Sequence, residues 1–176
     1  LLWERIFRPL QIRPEGLLWR DHEYRPDRLE GIKRREIGAG IFASADTLAR
    51  VGLLYLREGA WEGRRLLPAE FVRAARATPP ELGALPVVND PLRRFAGASA
   101  HYGLLWWNNS DGAVRGFPCD AFWAWGLGDS LLLVMPSQDL VVSRVGPAFP
   151  GDRRPSYYRV LGPFMRPIFE AVTASP

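Results

Sequence analysis

Alternation is sharpest between residues 120 and 146 (DAFWAWGLGDSLLLVMPSQDLVVSRVG), where Phe122, Ala124 and Gly126 interleave with Trp123, Trp125 and Leu127. Such alternation predicts a strand. It runs into a turn at Gly126-Leu127-Gly128, and two further β-rich runs, 131–135 and 140–145, flank Pro136-Ser137-Gln138-Asp139, so three neighbouring antiparallel strands are expected. A helical period comes earlier in the chain. Ser44 is a candidate cap, Asp46 suits the first turn, and Leu48, Val51, Gly52, Tyr55 and Leu56 recur at helical spacing until Gly59.

Pro68 fits the first turn of a second helix, with Phe71, Val72 and Ala75 on one apolar face, Leu66-Leu67 packed beside it and Pro79-Pro80 ending it. The last segment, 156–174, starts with a cap at Ser156. It carries Tyr157, Val160, Leu161, Phe164, Ile168, Phe169 and Val172 to cover one sheet face, with Pro163 and Pro167 kinking or interrupting it. Residues 1–7 read as a helix end closed by Pro9. The polar stretch up to about residue 35 and the aperiodic stretch 80–100 both read as loop, the second long enough to suit a functional loop. The predicted class is mixed α/β (α+β), an antiparallel sheet flanked by helices.

Composition narrows the function classes. The 176 residues, 47% apolar and 12% aromatic, suit one globular unit with a core. The net charge of +4 comes mostly from Arg34-Arg35, Arg64-Arg65, Arg93-Arg94 and Arg153-Arg154, which are dispersed and read as solvated surface rather than a nucleic-acid stripe. A single cysteine, Cys119, excludes an internal disulfide and reads as an inert, buried or half-buried thiol. His22 and His101 make no zinc-type cluster, so neither a metal nor a cofactor is expected. Residues 1–8 contain Glu4, Arg5 and Arg8 and fit neither a signal-peptide core nor a membrane span, and the longest apolar runs are strand length.

Several segments together resemble the serine β-lactamase and penicillin-binding-protein-like hydrolases. Residues 35–72 (REIGAGIFASADTLARVGLLYLREGAWEGRRLLPAEFV) are similar to that family's glycine turn, helix, short loop and second helix. Residues 3–12 (WERIFRPLQI) and 102–107 (YGLLWW) resemble its stretches rifePLGM and YGYGWW. Ala124-Trp125-Gly126 stands where the family carries a K-T-G or H-x-G triplet on an inner strand lining the acyl-transfer cleft. The resemblance implies that the backbone N–H of Leu127, just after Gly126, is one oxyanion donor. It also implies that Ala124, Trp125 and Gly128 line the substrate site beside the 80–100 loop, and that the protein is periplasmic or secreted. Tetrahedral acyl intermediates need such preorganised donors, and glycines let backbone and substrate approach closely. On periodicity alone the glycines make only a bulge or turn. Trp106, Trp107, Trp123 and Trp125 divide between aromatic pocket wall and ordinary core.

The departures from the family pattern are as informative. Neither S-x-x-K nor Y-x-N or S-x-N occurs: Lys33 is the only lysine, and none of Tyr24, Tyr55, Tyr102, Tyr157 and Tyr158 has Asn two residues on. The whole chain, 1–176, is therefore expected to be the C-terminal portion of one β-lactamase-like domain, inactive alone, with the nucleophile in a preceding portion. Ala124 replaces the cation that would bind a substrate carboxylate, which favours a small-molecule ester or amide with apolar acyl groups over β-lactams. It is equally compatible with a β-lactamase-like binding or scaffold module that has lost catalysis. The expected partner is the missing N-terminal portion, or a second copy through an exposed sheet edge.

Three smaller signals lie outside these segments or overlap them. Gly128-Asp129-Ser130-Leu131 spells the G-D-S-L string of another esterase family, but no His follows His101 to serve Ser130, and Asp129 and Ser130 read as turn residues bonding their own backbone. His101 reads as structural. Asn108-Asn109-Ser110 is formally a glycosylation acceptor and reads as a hairpin turn with Asp111-Gly112.

Overall fold

The run Leu-Leu-Leu-Val-Met becomes the central strand of the protein, with all five residues buried. A computed structural model describes residues 1–21, 26–34, 39–91, 93, 95–149 and 157–174, with side chains from 162 onward in the last span. His22, Tyr24, Arg35, Arg94, Arg153, Arg154 and the cap expected at Ser156 lie outside the described residues, as do the side chains of Tyr157, Tyr158, Val160 and Leu161.

Along the chain the elements are β1 (Leu17–Trp19), β2 (Arg28–Leu29), β3 (Ile32–Lys33), β4 (Ile41–Ala43), α1 (Ala45–Leu56), β5 (Ala60–Trp61) and β6 (Arg64–Arg65). They continue as α2 (Ala69–Arg76), α3 (Pro80–Gly83), β7 (Trp107–Asn108), β8 (Phe122–Trp125), β9 (Leu131–Met135), β10 (Leu140–Arg144) and α4 (Tyr157–Thr173). The main sheet has the order β10-β9-β8-β7, antiparallel throughout, with Trp123 opposite Leu133 and Val142 opposite Leu133 on its other side. Helices cover both faces, as expected.

Strand alternation sorts the core into two halves. Phe122, Leu132 and Val134 face α1, where they join Trp106 and Ala75 and where Tyr55 meets the Trp106 ring at 4.6 Å. Trp123, Leu131, Leu133 and Met135 face the other way, onto Met165, Phe164 and Phe169 of α4. Both Pro163 and Pro167 are accommodated inside that helix. A third cluster, Leu10, Ile12 and Leu54 with Leu66 and Leu67 packed on it, ties the N-terminal turn to α1.

Ser44 caps α1 as predicted, its Oγ accepting from Thr47 N–H at 3.1 Å. The helix ends through Gly59, whose φ of 87° only glycine adopts cheaply and whose missing Cβ leaves room for the Leu67 carbonyl. The Gly59 carbonyl in turn accepts from Leu66 and Leu67 N–H at 2.8 and 3.1 Å. Gly59→Ala is therefore expected to destabilise the protein by about 2 to 4 kcal/mol, combining a left-handed backbone penalty with a clash against main chain, as read by the urea midpoint.

Several expectations need correction. The stretch up to residue 35 is not all loop: β1 pairs with β4, and β2 and β3 form a hairpin through Glu30 (φ 50°) and Gly31 (φ 81°), the left-handed pair a two-residue turn requires. Residues 102–107 give a strand only at Trp107. Before it, Gly103 N–H closes on Trp106 carbonyl at 2.7 Å and Leu105 takes φ 67°, which breaks the extended run. Pro68 stands at the cap of α2 rather than in its first turn, and Phe71 points outward at 43% exposure while Val72 and Ala75 are buried. The 80–100 stretch contains the turn α3 and a 3-10 turn from Ala98. Cys119 is exposed, not buried.

The Asn108-to-Gly112 stretch does not form a tight hairpin. Residues 109–121 make a wide connection between β7 and β8, organised from inside by the fully buried Asn109. The formal acceptor Asn108 is itself buried, its amide donating to Thr78 Oγ1 at 2.9 Å.

Candidate functional site

The end of β8 carries the expected site residues, and register decides where their main-chain groups point. Successive N–H groups along a strand alternate sides. Asn109 N–H donates to Ala121 carbonyl at 3.0 Å, so odd-numbered residues of β8 face β7, while Gly126 N–H donates to Ser130 carbonyl at 2.9 Å, so even-numbered ones face β9. Gly126 is still extended, at φ −125° and ψ −175°, which carries the alternation to the next residue. Leu127 N–H is thereby directed to the β7 side, beyond the point where β7 begins opposite Trp123. No strand pairs there among the described residues, and its side chain is 78% exposed.

Past Leu127 the chain reverses through Gly128 (φ 69°) and Asp129 (φ 55°). Asp129 is fully buried and holds this turn from inside: Oδ1 accepts from the Trp125 indole N–H at 3.1 Å, and Oδ2 accepts from Phe149 N–H at 2.6 Å. The reading of Asp129 as bonding its own backbone is thus corrected, because the carboxylate spans the turn and a distant loop. Ser130 does bond locally, its hydroxyl donating to the Leu127 carbonyl at 3.1 Å. Arg144, at the end of β10, donates to the carbonyls of Gly128 at 3.2 Å, Asp129 at 2.8 Å and Pro147, and lies 4.1 Å from the Phe149 ring centroid. Asp129 reads in the sequence as a turn residue, but neither its partners nor Arg144 was singled out there. The available signal at Arg144 was a charge at the end of an otherwise apolar run.

Ala124 is half-buried and packs with the α1-side cluster. Trp125 shares the opposite face with Trp123, and Phe95, from the 80–100 stretch, has its ring 6.5 Å from both Trp125 and Trp107. Trp106 and Trp123 are core; Trp107 and Trp125 are half-buried. Gly126 is exposed at the strand end, and Gly128 presents its carbonyl to Arg144.

The remaining candidates lie elsewhere. His101 is buried with Nδ1 3.2 Å from Asp111 Oδ1, a carboxylate neighbour that the spacing did not reveal. Lys33 pairs with Asp21 at 3.3 Å on the small hairpin. Burial pushes the Tyr55 phenol above its ordinary 10.0, against a smaller opposing hydrogen bond with Trp106, and pushes Tyr102 up likewise, so neither is a phenolate base near neutral pH. A depression between α1 and β10, at the other edge of the sheet, is lined by Asp46, Arg50, Arg57 and Asp139, whose charges pair at 2.8 and 3.1 Å. Among the described residues no helix is long and apolar enough to cross a membrane, and no group of three or more His, Cys, Asp or Glu is placed to hold a metal ion.

An antiparallel sheet packed between helices in this arrangement is part of a β-lactamase-like fold. Over 97% of its length the chain is similar to a protein assigned as a beta-lactamase from Bacteroides dorei DSM 17855, at 14% identity and a TM-score of 0.55, covering 49% of that protein. Over 78% of its length it is similar to a protein assigned as a 6-aminohexanoate-dimer hydrolase from Bacillus anthracis, at 24% identity and a TM-score of 0.53, covering 31% of that protein. The chain thus spans between about a third and a half of the solved proteins it matches. No protein-family model and no curated protein matches it.

Proposed function

We propose that this chain is the C-terminal part of a β-lactamase-like serine acyl hydrolase, acting on small esters or amides through an acyl-enzyme. The observation that carries the reading is the hydrogen bond from Gly126 N–H to Ser130, which by alternation turns Leu127 N–H toward the open edge of β8. A donor fixed by a strand register is preorganised, and such donors stabilise the charge that develops on a tetrahedral intermediate. In this reading a serine outside the chain attacks the carbonyl carbon, a lysine outside the chain takes its proton, and Leu127 N–H binds the oxyanion. Gly126 and Gly128 keep the approach clear, and Ala124 and Trp125 shape the neighbouring surface. Leu104, Leu105 and Leu127, all more than half exposed, lie toward the same end of the sheet and favour an apolar acyl or alkoxy group. Among the described residues β10 is an edge strand of the main sheet, and in this reading the rest of the domain adds strands there; expressed alone, the chain is expected to self-associate through that edge.

The test is labelling by a fluorophosphonate serine probe, applied to this chain and to the protein encoded by its full reading frame. Labelling of the longer protein alone supports the hydrolase. Labelling of the isolated chain moves attention to Ser130. No labelling of either supports a binding module, for which the lack of a cation at Ala124 is the favouring observation.

A further inference from the structure

We infer that Asp129 and Arg144 are positioning residues that hold the 126–130 turn so that Leu127 N–H stays aimed at the open edge of β8; this rests on the oxyanion reading above. Two consecutive residues of the turn, Gly128 (φ 69°) and Asp129 (φ 55°), are left-handed. A left-handed backbone is less favourable for a residue with a Cβ than for glycine, so support from outside helps to hold the turn. A buried carboxylate is also costly unless its oxygens accept hydrogen bonds. Asp129 meets both needs at once: one oxygen takes the indole N–H of Trp125, two residues before Leu127, and the other takes Phe149 N–H from the far side of the turn.

Arg144 completes the support. Its guanidinium donates to the carbonyls of the two left-handed residues and to Pro147, and is stacked on Phe149, which packs against Phe164 of α4 at 5.2 Å. The planar fork suits several carbonyls at fixed angles, which a single ammonium does not. The turn is thereby fastened to β10 and, through Phe149, to α4. Misplacement of a catalytic donor by about 1 Å costs about 100-fold in rate.

Asp129→Asn and Arg144→Lys, each made in the full-reading-frame protein, test this. Asparagine keeps the size but sets an amide donor against either Trp125 or Phe149. Lysine keeps the charge and loses the fork. The expected result is a kcat for p-nitrophenyl acetate lowered about 100-fold with KM changed less than about two-fold. Alongside, the Leu127 amide resonance should shift and exchange faster with solvent, while amides of β9 stay as in the wild type. An unchanged Leu127 amide in both variants overturns the proposal. So does loss of protection across the whole sheet in both, which would make the pair general supports of the fold. If the wild type hydrolyses nothing and takes no serine probe, the hydrolase reading fails, and the Leu127 amide still decides whether the pair positions the turn.

Discussion

Leu127→Pro in the complete protein is expected to slow acylation of the serine by about 100- to 1000-fold, the range for removing one oxyanion donor, while leaving the fold intact. Proline deletes the N–H and little else here. The preceding Gly126 has φ −125° and ψ −175°, the extended backbone that a residue before proline prefers. Leu127 stands just outside the left-handed pair Gly128 and Asp129, so its φ is negative, the sign that proline's ring requires. Its side chain is 78% exposed, so no core packing is lost, and its carbonyl can still accept from the Ser130 hydroxyl. The rate of fluorophosphonate labelling reads the effect, and the thermal midpoint reads the fold. A labelling rate equal to wild type, with the midpoint unchanged, would remove Leu127 from the reaction and leave the 126–130 turn a purely structural feature.

Features legible in the sequence were those fixed by neighbours within one or two turns of chain. The alternation from Phe122 to Leu127, the continuous apolar run of β9, the Ser44 cap and the Gly59 stop each depend on local geometry, and each formed as expected. The pairing of Leu17–Trp19 with Ile41–Ala43 depends on segments more than 20 residues apart, with only three residues in each strand. Strands that short show no period, and the region read as loop.

The site divides in the same way. Backbone direction at Leu127 follows from strand parity, which is written in the alternation. Parity also says that Trp125 must share a face with Trp123, and because Trp123 is fully buried against α4, Trp125 turns its indole there, to Asp129. The long-range supports of the turn were illegible for a physical reason. Asp129 reads as a turn residue and does reach Trp125 four residues back, but it also meets Phe149 across 20 residues, and Arg144 reaches back 15 and 16, contacts that no local motif marks. In the sequence Arg144 is only a charge, and most charges are solvated.

Asn109 gives the largest stability prediction, because its side chain replaces a strand turn with a buried polar hub. Its Oδ1 accepts from Val114 N–H at 2.8 Å, and its amide faces the carbonyls of Val114, Phe117 and Pro118 at 3.1 to 3.3 Å. Asn109→Leu leaves the Val114 N–H and the Phe117 carbonyl without these partners beside the buried Val114, while the Val114 and Pro118 carbonyls keep only the N–H groups of Phe117 and Ala121. Each unsatisfied buried group costs about 1 to 3 kcal/mol, so the loss is expected to reach about 3 to 5 kcal/mol, a large share of a typical domain's stability. Urea unfolding measures it. Asn109→Asp separates hydrogen bonding from packing, since it has the same shape but points a second acceptor at three carbonyls. Burial and those carbonyls disfavour the carboxylate, which raises the folded-state pKa above the unfolded value of about 3.9. The protonated carboxyl can donate to a carbonyl. The deficit of this variant relative to wild type is therefore smallest below the unfolded value, and the stability contributed by the protonated carboxyl is lost as pH rises through the raised folded one. A deficit that does not shrink on acidification would mean that packing, not the hydrogen-bonded hub, holds the 109–121 connection against β8.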